Sequence, residues 1–225
     1  MQIFGLLQVV VAHKRVVRWR CNTHGRAAHS SLPQLGTNAI FKMSRVLQSL
    51  ERYQKEVVAG QGHHPLCGEP TLSVGTITGG LSVNTVPDLC TIEIDRRVLP
   101  GEKQADVYRH VVDFVTAETG ADPAIEHEPP FLTSGSLSDT DNKTVAARLA
   151  DAVRAGGISS ESIGVPFGTD ASTIAAAGVP SVVFGPGSID QAHTADEWLA
   201  LDQLQQASEA LYCFARAFPL PLGEG

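Results

Sequence analysis

The fold class of this chain is decided by one stretch, Val16-Val17-Arg18-Trp19-Arg20-Cys21-Asn22-Thr23. Apolar residues alternate there with polar ones, and a period of two predicts a half-buried strand. A second stretch, Cys90 to Asp95, alternates in the same way, with Cys90, Ile92 and Ile94 on one face and Thr91, Glu93 and Asp95 on the other. The two predicted strands indicate a sheet, and the segments around them are examined for the elements that would pack on it.

Helical and further strand patterns lie on either side of these two strands. Thr37 to Gln54 and Glu102 to Glu118 carry apolar residues at helical spacing, so each predicts an amphipathic helix. Thr71 to Thr78 is rich in strand-forming residues, and Pro123 to Glu128 predicts a short fourth strand. The resulting order, β-α-β-β-α-β, is that of the ferredoxin-like split unit, which we expect to occupy residues 10–130 as one domain.

A second region, residues 131–218, begins after Pro129-Pro130 and predicts about half of an α/β domain. The tail, residues 219–225, has the composition of a frayed end. The predicted elements of the region are a helix at Asn142–Ala155, a short strand at Ile163–Phe167, a short helix at Ala171–Ala177, a buried strand at Val179–Phe184 and a helix at Asp202–Phe218 with Asp202 as its N-cap.

Composition excludes several classes of protein. The 225 residues carry a net charge of −7 without clusters of Lys or Arg, which argues against binding nucleic acid or an anionic membrane. The four cysteines are scattered and form no Cys-x-x-Cys pair, so neither a zinc ribbon nor a disulfide framework is indicated. No signal peptide or membrane helix is predicted, and we expect a cytoplasmic location.

Two candidate sites lie in the second region. A Gly-Pro-Gly turn at residues 185–187 leads to His193, which is either a metal ligand or base at the end of a buried strand, or a surface histidine before a helix. Gly168-Thr169-Asp170 forms a turn of small residues that could hold a carboxylate or oxyanion, or that simply caps the next helix.

Three candidate residues lie in the first region. His29, within Ala28-His29-Ser30-Ser31-Leu32-Pro33, is a loop residue that could face a site, although no serine-hydrolase elbow accompanies it. Asn84 follows Gly79-Gly80 in a constrained hairpin loop, where it is either a turn residue or part of a site. Arg97 either forms a cross-strand ion pair or binds a substrate carboxylate.

Taken in order, these motifs resemble those of the metallo-exopeptidase and amidohydrolase family that includes acetylornithine deacetylase, succinyl-diaminopimelate desuccinylase, aminoacylase and glutamate carboxypeptidase. The resemblance covers roughly residues 8–216. It is carried by Val9-Val10-Val11-Ala12-His13-Lys14, Ala28-His29-Ser30-Ser31-Leu32-Pro33, Gly36-Thr37-Asn38-Ala39-Ile40, Gly79-Gly80, Asn84-Thr85-Val86-Pro87, Asp95-Arg96-Arg97-Val98-Leu99-Pro100-Gly101, Gly168-Thr169-Asp170-Ala171, and Gly185-Pro186-Gly187 to His193 and Glu197.

The resemblance implies a ferredoxin-like dimerisation lid joined to the C-terminal part of an α/β zinc-peptidase catalytic domain, with residues 1–9 as a remnant of that domain. It implies that His193 is a metal ligand and that His29 reaches across a homodimer to stabilise the oxyanion. It also implies that Asn84, Arg97 and Thr169 bind substrate. The implied cofactor is zinc or cobalt, and the implied substrate is a small acylated amino acid or peptide.

The family's remaining metal ligands and its general-base glutamate are expected before the strand that starts near Val9, and residues 1–8 contain no acid. Arg15 also stands where the family usually has glycine. We therefore expect an N-terminally truncated member, a hydrolase by descent that is inactive alone and holds no zinc tightly. The alternative is a non-catalytic dimerisation module or one half of a split enzyme.

Overall fold

The computed structural model describes residues 7–102, 104–192 and 194–217, which form a mixed α/β structure and confirm the predicted fold class. None of the helices in this described part combines the length and hydrophobicity that crossing a bilayer requires. The strands are β1 Val9–His13, β2 Arg15–His24, β3 Ala28–His29, β4 Thr71–Gly79, β5 Thr85–Val86, β6 Leu89–Val98, β7 Ile125–His127, β8 Leu132–Thr133 and β9 Ser162–Val165. The helices are α1 Ala39–Arg52, α2 Gln104–Thr119, α3 Lys143–Ala155, α4 Ala171–Ala176 and α5 Leu201–Arg216.

The chain divides into two compact units. The first, called the lid here, comprises residues 14–136 with 166–168, and the second comprises the described residues of 1–13, 137–165 and 169–225. The predicted domain boundaries at residues 10 and 130 remain a prediction.

The sheet of the lid has the strand order β4-β6-β2-β7, with β8 also pairing with β2, and all of these pairs are antiparallel. Strands β2 and β6 pair along their whole length, from Arg15 opposite Val98 to His24 opposite Leu89. With α1 between β2 and β4, and α2 between β6 and β7, this is the predicted ferredoxin-like order. The four strands and two helices predicted from the sequence of the lid are confirmed, with ends that shift by up to three residues.

One face of the lid sheet is buried under α1 and α2. The apolar residues of the alternating stretch in β2 are fully buried, as the period of two predicts, and they pack against the inner faces of the two helices. Asn38 caps α1, because its side chain accepts a hydrogen bond from the backbone N–H of Phe41. The main contributors to this core are Val17, Trp19, Cys21, Met43, Val46, Leu50, Ile92, Ile94, Val111 and Val115.

The largest side chain of the core, Trp19, also makes a polar contact. Its indole N–H donates to Nδ1 of His127 at 3.1 Å, and its ring meets Tyr108 edge-on with 5.4 Å between centroids. The Tyr108 hydroxyl donates to the carbonyl oxygen of Glu128 at 2.9 Å. Burial lowers the pKa of His127 from 6.5 to about 4, so the ring stays neutral and accepts from Trp19.

In the second unit, β1 and β9 form a parallel pair, with Val9 opposite Ser162 and His13 opposite Val165. Helix α3 buries one face, formed by Ala146, Leu149, Ala150 and Val153, and contacts β1 and α5. Buried Asn142 links two loops to the start of α3, since its amide donates to the carbonyl oxygen of Ser138 and its oxygen accepts from the N–H of Ser181.

Two predictions for this unit are wrong. The stretch Val179–Phe184 is no regular strand, because only Val183 forms a bridge, to Val10, while Val179 is half exposed and Pro180 has no N–H to donate. Asp202 is not the N-cap of α5, which is Ala200. Asp202 lies in the first turn, where its carboxylate accepts from the N–H of Gln203 and is favoured by the helix dipole. Phe218 and the tail lie outside the described residues.

We expect the stability of the lid to fall as the pH drops from 6.5 to 4. The unfolded chain protonates His127 below pH 6.5 and the folded chain does so only near pH 4, so the proton favours the unfolded state between them. The His127 contribution should lower the free energy of unfolding by about 2 kcal/mol at pH 5 relative to pH 7.5. Urea unfolding followed by Trp19 fluorescence measures it, in a Trp198→Phe background that leaves one of the two tryptophans.

The variant His127→Gln should lose this part of the pH dependence. His24→Gln is the matched control, because His24 is exposed and pairs with exposed Glu126 across the same strands. If stability fell equally in the wild type and in His127→Gln between pH 7.5 and pH 5, His127 would not be the source of the pH dependence.

Candidate functional site

His29 and Asn84 are brought together at one end of the lid by a small two-stranded sheet. Strand β3 pairs with β5 so that His29 lies opposite Thr85, and the N–H of Ser30 donates to the carbonyl oxygen of Asn84 at 2.9 Å. Their positions in the sequence are far apart, and the short sheet makes them neighbours. His29 and Asn84 are both exposed.

A serine two residues away contacts each of these side chains. The Ser31 hydroxyl lies 2.7 Å from Nδ1 of His29, and the Ser31 N–H donates to the same nitrogen at 3.2 Å. The Ser82 hydroxyl donates to Oδ1 of Asn84 at 2.5 Å. Ser31 and Ser82 were not predicted as site residues, although a serine near a polar residue in a turn often forms such local hydrogen bonds.

An open groove of about 680 Å³ lies beside this sheet. Its surface is mostly apolar, and two loop residues at its rim, Leu81 and Val83, are 95% and 101% exposed. Apolar side chains this exposed, next to polar side chains with defined hydrogen bonds, are typical of a surface that another molecule covers. The groove is lined by Ser30, Pro33, Asn38, Ile40, Phe41, Gly79, Gly80, Leu81, Ser82, Val83, Thr85, Val86 and Pro87.

Arg97 lies on the polar face of β6 in a small charge network. Its guanidinium donates from Nε and Nη2 to the two oxygens of Asp95, at 2.6 and 3.1 Å. Arg18 on the neighbouring strand also donates to Asp95, at 2.6 Å. The ion pair considered from the sequence therefore exists, along one strand rather than across two. It uses two of the five N–H donors of Arg97.

Within one lid, Arg97 is remote from His29 and Asn84. The β3/β5 sheet leads directly into Leu89 at the start of β6, whereas Arg97 is next to the last residue of that strand. At about 3.3 Å per residue, Leu89 and Arg97 are about 26 Å apart. A small substrate cannot touch both ends of one lid.

Thr169 belongs to the second unit, where it follows β9. Its backbone N–H donates to Nε2 of His13 at 3.3 Å, and its carbonyl oxygen accepts from the hydroxyl of Ser172. Its own hydroxyl oxygen is buried without a hydrogen-bond partner in the described residues. His13, fully buried at the carboxyl end of β1, was quoted in the sequence motif without a role and is revealed as a neighbour of Thr169.

His193, the predicted metal ligand, lies outside the described residues. Among the residues that the structure does describe, no three or more His, Cys, Asp or Glu side chains lie close enough together to hold a metal ion.

The match to a known family falls on the lid. Residues 11–123 match the family described as the peptidase dimerisation domain. That range covers the strands and both helices of the ferredoxin-like unit up to the turn before β7.

Curated relatives extend the similarity over most of the chain. Acetylornithine deacetylase from Myxococcus xanthus is 30% identical over 209 residues, which are 90% of this chain and 52% of the relative. Succinyl-diaminopimelate desuccinylase from Corynebacterium glutamicum is 29% identical over 196 residues, 87% of this chain and 50% of the relative. The chain thus spans about half the length of the curated relatives that it matches.

Solved structures show the same fold. A tripeptidase from Staphylococcus aureus matches with a TM-score of 0.72 at 20% sequence identity, over 96% of this chain and 55% of that protein. An aminopeptidase from Bacillus cereus matches with a TM-score of 0.70 at 20% sequence identity, over 95% of this chain and 54% of that protein.

We expect Gly25→Ala to destabilise the lid end that carries His29. A Cβ atom at Gly25 would lie 2.1 Å from the carbonyl oxygen of Thr37 and 3.0 Å from that of Pro87. Both contacts are with backbone atoms, so the backbone of these segments would have to shift to admit the methyl group. Overpacking of this kind lowers the free energy of unfolding by about 1–3 kcal/mol or more. Gly75→Ala in β4 is the control, because no atom lies within 4 Å of its added Cβ, and it should change stability by less than about 0.5 kcal/mol.

Urea unfolding of the two variants and the wild type makes the comparison. Equal stability of Gly25→Ala and Gly75→Ala would show that the loop relaxes freely and that its packing does not fix the position of His29.

Proposed function

Because this chain belongs to the family of the peptidase dimerisation domain, we propose that it acts in a homodimeric, metal-dependent hydrolase of amide bonds in small N-acylated amino acids or peptides. The enzymes named acetylornithine deacetylase and succinyl-diaminopimelate desuccinylase among its relatives support this substrate class. One observation carries the proposal: His29 and Asn84 lie at one end of the lid and Arg97 lies at the other. Symmetric pairing of two lids would bring Arg97 of one lid close to His29 and Asn84 of its partner.

Strand β4 is suited to that pairing, because it lies at the edge of the sheet. Its first residue, Thr71, is opposite Arg97 on β6, and its last residue, Gly79, is opposite Cys90 beside the His29 end. The edge strand therefore runs from one candidate substrate-binding end of the lid to the other. An edge strand presents unpaired backbone groups that a second strand can bind.

Two β4 strands paired antiparallel about a two-fold axis would place the Thr71 end of one beside the Gly79 end of the other. Arg97 of one lid would then lie on the same side as His29 and Asn84 of its partner. The dimer would hold two equivalent sites, each with residues from both chains. This arrangement supports the cross-dimer role proposed for His29.

The chemistry of these residues fits amide hydrolysis. An imidazole N–H of His29 and the amide of Asn84 are donors of the kind that stabilise the oxyanion of a tetrahedral intermediate. Arg97 keeps N–H groups beyond the two bound to Asp95, and these can bind a substrate carboxylate. We further propose that Thr169 contacts substrate and that His193 ligates zinc or cobalt, which would polarise the amide carbonyl and activate water.

We propose that these 225 residues alone do not hydrolyse such substrates, because a single histidine does not hold a catalytic zinc. A second candidate is a non-catalytic dimerisation module or one half of a split enzyme. The exposed apolar residues of the lid, Phe41, Leu81 and Val83, favour a role in association that would persist without chemistry.

A cytoplasmic location is also proposed. No disulfide joins the four cysteines, which all lie in the described part of the chain, and Cys21, Cys67 and Cys90 are buried. Cysteines that form no disulfide are typical of proteins in a reducing compartment.

We expect the chain to form a homodimer through β4 at about tens of micromolar in sedimentation experiments. Ile77→Lys should weaken it at least about tenfold, because Ile77 is 55% exposed on the edge strand and a lysine charge on an edge strand disfavours pairing with a second strand. Leu201→Lys, on α5 of the other unit, is the control and should leave the dimer intact. A monomeric wild type would exclude the pairing.

A lid exchange tests the hydrolase. Residues 14–136 would replace the dimerisation domain of the Myxococcus xanthus acetylornithine deacetylase, and hydrolysis of N-acetylornithine would be measured. The chimera should be active, whereas its His29→Ala variant should lose roughly 100-fold in kcat, as typical for an oxyanion donor. Arg97→Ala should mainly raise KM, because a carboxylate anchor acts equally in the ground and transition states. Folding and dimerisation of each variant are checked by circular dichroism and sedimentation.

Mixing the His29→Ala and Arg97→Ala chimeras then locates the site. The rate is measured at a substrate concentration well below KM, where both parent chimeras are slow. If the two residues of one site come from different chains, a heterodimer regains one intact site, and random exchange restores about a quarter of the wild-type rate. No recovery after confirmed subunit exchange would place both residues on one chain. An active dimeric chimera that is indifferent to both substitutions would favour the non-catalytic module.

A further inference from the structure

The hydrogen bonds at His29 determine which of its two ring nitrogens carries the proton. The backbone N–H of Ser31 donates to Nδ1 at 3.2 Å, and the hydroxyl of the same residue lies 2.7 Å from that atom. A backbone N–H can only donate, so Nδ1 must offer a lone pair. A neutral imidazole with a lone pair on Nδ1 has its hydrogen on Nε2.

We propose that Ser31 is a positioning residue that holds His29 as the Nε2–H tautomer and thereby aims a hydrogen-bond donor out of the lid. The tautomer follows from the contacts of Ser31. What the donor binds, an oxyanion formed during amide hydrolysis, rests on the function proposed above. With the other tautomer, Nε2 would be an acceptor and would repel an oxyanion.

The loop is built to keep this geometry. Strand β3 ends at His29, and the N–H of Leu32 donates to the carbonyl oxygen of His29 at 2.9 Å, which closes a tight turn. The turn directs the N–H of Ser31 back onto the ring. Because Ser31 and His29 are both exposed, their bond contributes little to folding stability, so its effect falls on the orientation and proton position of the ring.

Substitutions at position 31 can therefore reverse or preserve the tautomer without disturbing a core. Ser31→Asp puts a carboxylate beside Nδ1, and a carboxylate accepts a hydrogen bond from Nδ1–H, as in the carboxylate–histidine pairs that fix tautomers elsewhere. Ser31→Thr keeps the hydroxyl and the N–H. Ser30→Asp is the matched control, because it adds the same charge one residue away, on an exposed residue whose N–H binds Asn84 instead.

The direct measurement is long-range proton–nitrogen NMR of the imidazole rings in the purified 225-residue chain, at a pH where His29 is neutral. The His29 signals are identified among those of the eight histidines by their loss in His29→Gln. We expect the Nε2–H pattern in the wild type, Ser31→Thr and Ser30→Asp, and a shift toward Nδ1–H in Ser31→Asp. The half-buried His127 ring, which accepts from Trp19, reports whether each variant is folded. An Nδ1–H pattern in the wild type, or no change in Ser31→Asp, would overturn the proposal.

The second measurement uses the lid chimera. Ser31→Asp should lower kcat toward the level of His29→Ala, roughly 100-fold, with little change in KM, while Ser31→Thr retains the wild-type rate. The two readouts separate the two proposals. If the NMR result is as expected but the rate does not depend on His29, the role of Ser31 is supported and the hydrolase role of His29 is contradicted. A rate that depends on His29 together with an unchanged tautomer in Ser31→Asp contradicts the role of Ser31 alone.

Discussion

The antiparallel ladder between β2 and β6 is the constraint on which the lid depends. Ten residues of one strand pair with ten of the other without a bulge, from Arg15 to His24. The ladder fixes which side chains enter the core and sets the distance between the two ends of the lid. Since β4 pairs with the other side of β6, the same ladder also determines which strand is left at the edge. The proposed dimer and the division of the site between two chains both follow from it.

Specific polar contacts hold the ladder in one register. Arg96 is completely buried, and its guanidinium donates to the carbonyl oxygens of Thr71 and Arg97 and to the side chain of Gln61. Burial lowers the pKa of Arg96, and nearby Glu102 opposes that shift. Buried charges with this many partners are costly to misplace. Together with the Trp19–His127 bond, they add specificity to a core that is otherwise apolar.

The sequence predicted the lid well because its signals are local and periodic. The alternating stretch of β2 and the helical spacing of α1 depend on residues within one element, and burial then follows from which face is apolar. The predicted strand at Val179–Phe184 failed because hydrophobicity alone does not supply a pairing partner, and Pro180 removes a donor. The contact between Thr169 and His13 could not be predicted either, because the two residues are distant in sequence and folding brings them together.

The candidate site shows that residue type alone does not predict which direction a side chain faces. Arg96 and Arg97 are adjacent and chemically identical, yet β6 turns one into the core and the other toward its polar face. A slip of one residue in the ladder would exchange them, burying the candidate carboxylate anchor and exposing the core arginine. The donor role proposed for His29 shows the same dependence on geometry, because it rests on the N–H and hydroxyl of Ser31 that contact Nδ1. The roles proposed for both side chains thus depend on backbone pairing, which fixes the direction of each polar group before any ligand binds.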